Sequence, residues 1–314
     1  MSISLPPLEA GSDAWARMIT ASKIPGIYGQ SKFSSPTKEF HALRGEIPPD
    51  PDNTAMELGR DFEPIILARF FRRHPELTRQ PHASYTRLGL EEWASATPDA
   101  TAHANGGRLI GVEAKVDAHD DYRWTDEPPV GVWLQTQWQM HLSGARVTYV
   151  VKFGAFLAED EYIVEYDRTQ AEDMEDYLGW FHANAMDPNG VPPELDGHAE
   201  TYDAIRRVNT LVDVDADDWD IGYDLAREFD NAVRGFDAAE TALNLAKSKL
   251  LRVMGDARRA VIGEGKQRQT VATRQRTKKG VAIYKGRKPI DWVAAGFADP
   301  LAAPALIASN QEAA

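Results

Sequence analysis

The spacing of apolar positions changes period several times along the chain, and each change marks an element. Residues from about Asp13 to Ala21 read as a helix, followed by turn signals at Ser22-Lys23-Ile24-Pro25-Gly26 and Ser34-Ser35-Pro36. A second helix starts at Thr37 and runs to about Arg44. The Pro48-Pro49-Asp50-Pro51-Asp52-Asn53 cluster is a loop. Asn53 or Thr54 is suited to cap the next helix, which reaches about His74 and carries Met56, Leu58, Phe62, Ile65, Ile66 and Phe70. Strands are predicted at 81–88, 92–97, 108–116, 147–157 and 161–167, the last two as a hairpin around Ala158-Glu159-Asp160. Helices are predicted from Val130 to Ser143 and over roughly 169–184, and a loop with Pro188, Gly190, Pro192, Pro193 and Gly197 closes this first unit.

Beyond that loop the pattern differs in kind. Leu225, Phe229, Ala232, Phe236, Ala239, Leu243, Ala246, Leu250, Val253 and Ala257 recur at alternating spacings of four and three, a heptad seam. One long helix or a helical hairpin is implied, serving oligomerisation, lying beside a nucleic acid, or packing on its own domain. Gly235 and Gly255 weaken it and mark candidate bends. Residues 270–287 read as a basic hairpin around Lys278-Lys279-Gly280, and the Ala-rich C-terminus as frayed. The expected organisation is a domain over 1–200, then residues 205–314 as a helical arm at about 223–262 with a basic C-terminal segment.

The predicted strand at 108–116 carries the densest chemistry. Side chains alternate on a strand, so Glu113 and Lys115 share one face while Val112, Ala114 and Val116 share the other. Taken alone, this reads as an amphipathic strand with a solvated ion pair. Pro98-Asp99 shortly upstream adds a second carboxylate.

Composition narrows the classes. The chain has 314 residues, 43% of them hydrophobic, which suits a globular protein, and it has no cysteine, which excludes disulfides and cysteine-ligated metal centres. No apolar run is long enough to span a bilayer and no N-terminal leader pattern is evident, so a cytoplasmic location is the expectation. The net charge of −13 is unevenly spread: residues 246–288 hold fourteen Lys or Arg and two acids, a net of +12, while the rest of the chain carries −25. A basic segment on an acidic body is the electrostatic footprint of phosphate-backbone binding, and equally of a solubilising tail.

Hydrolysis of a phosphodiester needs an activated water and stabilisation of charge on the phosphoryl oxygens, which a hard divalent cation held by oxygen ligands supplies. Asp99, Glu113 and the Ala114 carbonyl would make a partial cage, with Lys115 beside it to orient the water or balance charge. Glu63, in Gly59-Arg60-Asp61-Phe62-Glu63-Pro64, is a candidate for a second metal, or else a surface glutamate. Trp133 to Leu142 places three glutamines among aromatics, and amides hydrogen-bond phosphate oxygens without adding charge. Arg17 and Ser22 offer a guanidinium and a hydroxyl to a phosphate. The eight histidines show no HxxxH or HxH spacing, and no serine has the strand–elbow–helix context of a nucleophile.

Five segments taken in order carry a family resemblance. They are Trp15 to Ser22, Gly59-x-x-x-Glu63-Pro64, Thr97-Pro98-Asp99, Val112-Glu113-Ala114-Lys115 and Gln135-x-Gln137. Over about residues 15–155 the chain resembles the YqaJ-like phage recombination exonucleases, the group that includes lambda exonuclease. The resemblance implies a PD-(D/E)xK nuclease fold of the α/β (α+β) class, a mixed central β-sheet flanked by helices, with Mg2+ (or Mn2+ in its place) at the sheet edge. It implies 5′ to 3′ degradation of one strand of linear double-stranded DNA, together with a single-strand annealing protein, in a phage- or prophage-encoded recombination system, by a homo-oligomer. Under it, Asp99, Glu113 and the Ala114 carbonyl correspond to metal ligands, Glu63 to the acid near a second metal, and Lys115 to the catalytic lysine. Arg17, Ser22 and Gln135 correspond to groups on the terminal 5′-phosphate or neighbouring backbone. Ala100 stands where the family often has glycine, and residues 205–314 lie outside the resemblance, so a ring-shaped trimer is not implied by them. The rival readings are an endonuclease or end- and flap-processing nuclease, and a non-catalytic DNA-binding protein using the basic arm.

Overall fold

The computed structural model describes residues 1–9, 11–117, 123–154, 158–278 and 280–298. The chain divides into two units, Met1–Val212 and Asp213–Ala314.

The first unit opens with β1 (Ser2–Leu5) and α1 (Asp13–Arg17), the latter capped by the Ser12 hydroxyl on the Trp15 N–H. The helix predicted to reach Ala21 stops at Arg17. Met18 turns extended, Ile19–Thr20 form β2, paired in parallel with β5 (Ala94–Ser95), and Ala21–Lys23 make a 3-10 turn before the short α2 (Ile24–Ile27). Pairing with a distant strand overrides the local helical pattern here. α3 (Pro36–Leu43) begins one residue before the predicted start, with Pro36 at the first helical position and Ser35 as cap. α4 (Thr54–Arg73) is capped by Asn53, as expected.

A five-stranded mixed sheet follows, in the order β3 (Thr78–Arg79), β6 (Ala100–His103), β7 (Leu109–Asp117), β8 (Val147–Gly154), β9 (Glu159–Glu165). Only β7 and β8 run parallel, because α5 (Val130–Ser143) carries the chain back between them. β8 and β9 pair antiparallel as predicted; Glu159 and Asp160 are already strand residues, and the intervening 155–157 lie outside the described residues. The predicted strand at 81–88 shortens to β4 (Ser84–Arg87), paired with β1, and that at 92–97 shortens to β5. β6 has no counterpart among the predicted strands. α6 (Arg168–Met186) matches its predicted helix, and α7 (Ala199–Val208), which the sequence pattern did not mark, packs on α3.

Alternation in β7 divides the core. Val112 joins Ile66, Leu67 and Phe70 of α4 and Val151 of β8 on one side of the sheet, with Ala114 packed against them. The other face receives α5, whose Met140 packs with Val150 and Val164, while Leu134, Trp138 and Leu142 pack with Ile19, Ala21, Ile24 and the α6 residues Met174, Leu178 and Phe181. α5 ends at Gly144, whose φ of +82° provides the left-handed turn into β8. The backbones of β7 and β8 approach so closely at Gly111 that an added Cβ would lie 2.6 Å from Thr148 Oγ1.

The second unit contains one unbroken helix, α8 (Tyr223–Val253), and a three-stranded antiparallel sheet of β10 (Arg259–Ile262), β11 (Gln269–Thr277) and β12 (Gly280–Lys285). Gly235 lies inside the helix without ending it, whereas Gly255, at φ +52°, follows its C-cap, so Ala257 falls outside the heptad helix. The predicted basic hairpin is β11–β12, its turn residue Lys279 lying outside the described residues, as does the C-terminal 299–314.

Candidate active site

The β6–β7 register builds the centre. Ala100 pairs with Val112, so one step beyond the last pair Asp99 stands opposite Glu113. Its carboxylate turns into the ladder position that β6 vacates: Oδ2 accepts the Ala114 N–H at 2.7 Å. In a strand, the N–H and C=O of one residue point toward the same neighbour. The Ala114 carbonyl therefore faces the Asp99 side of β7, where no strand continues. Ala100 begins a strand in extended backbone, which alanine adopts without strain, so the glycine often found after the aspartate is not required here.

Glu113 is 2% exposed, and both its carboxylate oxygens accept hydrogen bonds. Oε1 accepts from Lys115 Nζ at 2.6 Å and from Gln135 Nε2 at 2.7 Å, and Oε2 accepts from Gln139 Nε2 at 2.7 Å. Lys115 Nζ also donates to Gln135 Oε1 at 3.0 Å, closing a triangle of Glu113, Lys115 and Gln135. Gln135 and Gln139 are four apart, one above the other on a single face of α5. Gln137, two residues from each, points elsewhere: it donates to the Glu165 carbonyl at 2.8 Å and accepts the Asp167 N–H at 2.9 Å, joining β9 to α6. Of the glutamines singled out by sequence, Gln137 is thus a buried structural clamp. Gln139 is a site residue that the motif reading did not single out. Its signal was the i, i+4 spacing from Gln135.

Electrostatics tie the acids together. Burial, then the Glu113 charge, push the Asp99 carboxyl well above the ordinary aspartate range; the charge on Glu63 adds to this, while Lys115 opposes it. Burial, then the Glu113 charge, also raise the Glu63 carboxyl. Burial alone would push the Lys115 ammonium down, but the neighbouring Glu113 and Asp99 carboxylates outweigh it and hold Lys115 above the usual lysine value. Glu63 is thus within electrostatic reach of the pair from α4, where it immediately precedes Pro64, which cannot donate the helical hydrogen bond to the Arg60 carbonyl. Among the described residues, no three His, Asp or Glu side chains cluster closely enough to form a cation cage by themselves. Beside Asp99 and Glu113, the Ala114 carbonyl is the backbone oxygen that faces the open edge of β7.

Arg17 ends α1 and Ser22 lies in the 3-10 turn that follows. Both are exposed; Ser22 Oγ lies 3.1 Å from Thr20 Oγ1, and the Arg17 carbonyl accepts from His182 Nε2 at 3.0 Å. Lys23, buried beneath them, donates to the carbonyls of Trp15, Ala16 and Met18 at 2.8, 2.9 and 2.9 Å, with its ammonium 4.3 Å from the Trp15 ring centre. Burial pushes this ammonium down to about 8, with the Glu39 charge opposing. The turn holding Ser22 and Lys23 packs directly on α5. The helix that grips Glu113 from one face therefore supports the Arg17–Ser22 segment from another.

Gln139→Leu is expected to leave Glu113 Oε2 buried without its donor, costing on the order of 2 kcal/mol. It should lower any activity of this centre roughly 10- to 100-fold through misplacement of the carboxylate. Thermal unfolding and turnover measured on the same preparation check both effects, and an unchanged rate would separate Gln139 from the site.

Comparison with curated proteins gives no match. Among solved structures, the chain is similar to an alkaline exonuclease (LHK-Exo) from Laribacter hongkongensis, at 19% identity and a TM-score of 0.42, covering 54% of this chain and 88% of that one. The same enzyme in complex with dAMP gives 18% identity and a TM-score of 0.42 over the same shares of the two chains. A phage-related exonuclease from Haemophilus somnus 129PT gives 11% identity and a TM-score of 0.36, covering 54% of this chain and 91% of that one. Among the described residues no helix is long and apolar enough to cross a membrane. Residues 13–146 match the YqaJ-like viral recombinase domain family, and every residue of the candidate site lies within that span.

Proposed function

We propose that the protein is a divalent-metal-dependent deoxyribonuclease that removes nucleotides from the 5′ ends of linear double-stranded DNA. The observation that carries this reading is the facing pair Asp99 and Glu113, with the Asp99 carboxyl raised by burial and by the Glu113 charge and the Ala114 carbonyl directed to the same open edge. A hard cation relieves that repulsion and completes the oxygen set. Asp99, Glu113 and the Ala114 carbonyl would hold Mg2+, for which Mn2+ substitutes, and Glu63 would approach a second ion or its water. The bound ion supplies charge neutralisation and polarises a phosphoryl oxygen.

The chain's own groups do the rest. Lys115 holds Glu113 in place through Oε1 and presents its ammonium at the centre, where it offsets negative charge developing on the phosphate. Gln135 bridges Glu113 and Lys115 and fixes both rotamers. Arg17 and Ser22 would receive the terminal 5′-phosphate, the guanidinium giving a forked charged contact and the hydroxyl a single donor. The basic segment 246–288 of the second unit, with Arg274 and Arg276 on β11 and Lys285 on β12, would add sequence-independent attraction to the DNA backbone. Action beside a single-strand annealing protein in phage recombination is the biological setting that fits such a product.

A gel assay of 5′-phosphorylated linear duplex against closed circular DNA, with magnesium or with EDTA, tests the reading. Linear DNA should be degraded only with the metal, and circular DNA should survive. Protein that is inert with either magnesium or manganese sinks the proposal, and cleavage of the circle replaces it with an endonuclease.

A further inference from the structure

The heptad face of α8 is an apolar feature that the proposed activity leaves unused. No residue of this 31-residue helix, about 46 Å long, is buried. Phe229 and Phe236 are each 71% exposed and Leu243 is 53% exposed. Large apolar side chains aligned on one helix face call for a partner.

The order of large and small residues says which partner. One column of the seam is large throughout: Phe229, Phe236, Leu243 and Leu250. The alternate column runs Leu225, Ala232, Ala239, Ala246 and Val253, with alanine at its three central positions. In a parallel pair, each column meets itself, giving alternating Phe–Phe and Ala–Ala layers that no single interhelix distance fits. In an antiparallel pair, each column meets the other. Phe229 then faces Ala246 of a second copy, Phe236 faces Ala239, and Leu243 faces Ala232, so every central layer combines one large and one small side chain and packs at uniform spacing.

Charge and glycine placement agree with this. Residues 223–238 carry four acids and two arginines, whereas 239–253 carry one acid and three basic residues, so antiparallel halves are complementary. On the flank beside the large column, the same register sets Glu228 against Lys249 and Gly235 against Ala242. Gly235 is otherwise unaccounted for: it sits inside a helix, where glycine is among the poorest residues, and an added Cβ would meet nothing within 4 Å. Two small residues at the middle of the flank allow the helices to approach closely where the alanine layers require it.

We propose that α8 of two copies of this chain pair antiparallel through this seam, making the protein a dimer through its second unit. The test is sedimentation equilibrium on the full chain. Wild type should dimerise reversibly. Lys249→Glu, which sets like charges against each other at both ends, should weaken the dimer about tenfold, and the double variant Glu228→Lys/Lys249→Glu should restore it. Both positions are exposed, so the fold is not at stake. Because the chain has no cysteine, mixing Gly235→Cys with Ala242→Cys under oxidation gives a second readout, with the mixed 235–242 crosslink expected to dominate. Wild type that stays monomeric at all concentrations, the result expected if the helix is covered by its own chain, overturns the proposal. So does a Lys249→Glu protein that associates normally, a double variant no tighter than the single, or a predominance of 235–235 crosslinks, as in a parallel pair.

Discussion

Asp99→Asn is expected to lower DNA digestion by at least about a thousandfold while making the metal-free protein more stable. Asparagine keeps an oxygen to accept the Ala114 N–H but removes the charge that burial and Glu113 disfavour. The sign follows from linkage. The folded state binds the Asp99 proton more tightly than the unfolded state does, so between the ordinary carboxylate range and the raised value the folded protein holds more protons. Metal-free wild type should therefore lose stability as pH rises through that window, and Asp99→Asn should lose the share of that dependence that Asp99 contributes. At neutral pH the variant should melt roughly 2–4 °C above wild type, the response to ~1 kcal/mol in a domain of this size. Divalent cation should reverse the order. It stabilises wild type by about 3 kcal/mol at a hundredfold excess over Kd, and should do little for the variant. Melting curves with EDTA and with magnesium, run beside the gel assay, check each part. An Asp99→Asn protein that still digests DNA, or that is stabilised by metal as wild type is, removes Asp99 from the ligand set.

Lys23→Met is expected to act on two separate readouts. Methionine fills a similar volume but donates nothing, leaving the carbonyls of Trp15, Ala16 and Met18 in a buried setting without their ammonium partner. The loss is on the order of 3 kcal/mol or more. Those carbonyls shape the backbone from Trp15 to Ser22, so the exposed Arg17 and Ser22 lose their fixed spacing. Under the proposed function, the preference for 5′-phosphorylated over 5′-hydroxyl ends should fall by about tenfold or more, while cleavage of the non-phosphorylated substrate changes less. Lys23→Arg, which keeps the charge, should retain more of both stability and preference. A variant that is destabilised yet keeps full end discrimination would confine Lys23 to a structural role.

Much of the architecture is legible from local pattern. α5 runs from Val130 to Ser143 as its apolar spacing and the closing Gly144 indicate, α4 takes its cap from Asn53, and β7 shows the alternation that sends Val112 into one core and Glu113 to the opposite face. The failures have a common origin. The first helix breaks at Arg17 because Ile19 and Thr20 pair with Ala94 and Ser95, far along the chain, and Lys23 gathers the freed carbonyls. β6, the run Ala100–His103, has no local strand signature; it exists because β7 offers it a register. That unmarked strand is what sets Asp99 opposite Glu113.

The same division holds for chemistry. Which residues carry charge, and on which faces, is written in the chain: Glu113 and Lys115 together on a strand, Gln135 and Gln139 together on a helix, and a heptad face of alternating large and small residues. These follow from the periods of 2, 3.6 and 3.5, which depend only on backbone geometry. Which of those faces meet is a product of the folded arrangement. α5 is turned so that Gln135 and Gln139, and not Gln137, reach the Glu113 carboxylate, and β6 begins one residue after Asp99, leaving that carboxylate free to take the next ladder position on β7. Such pairings depend on strand order and helix rotation, which are set by packing between segments far apart in the chain, and local period carries no record of them.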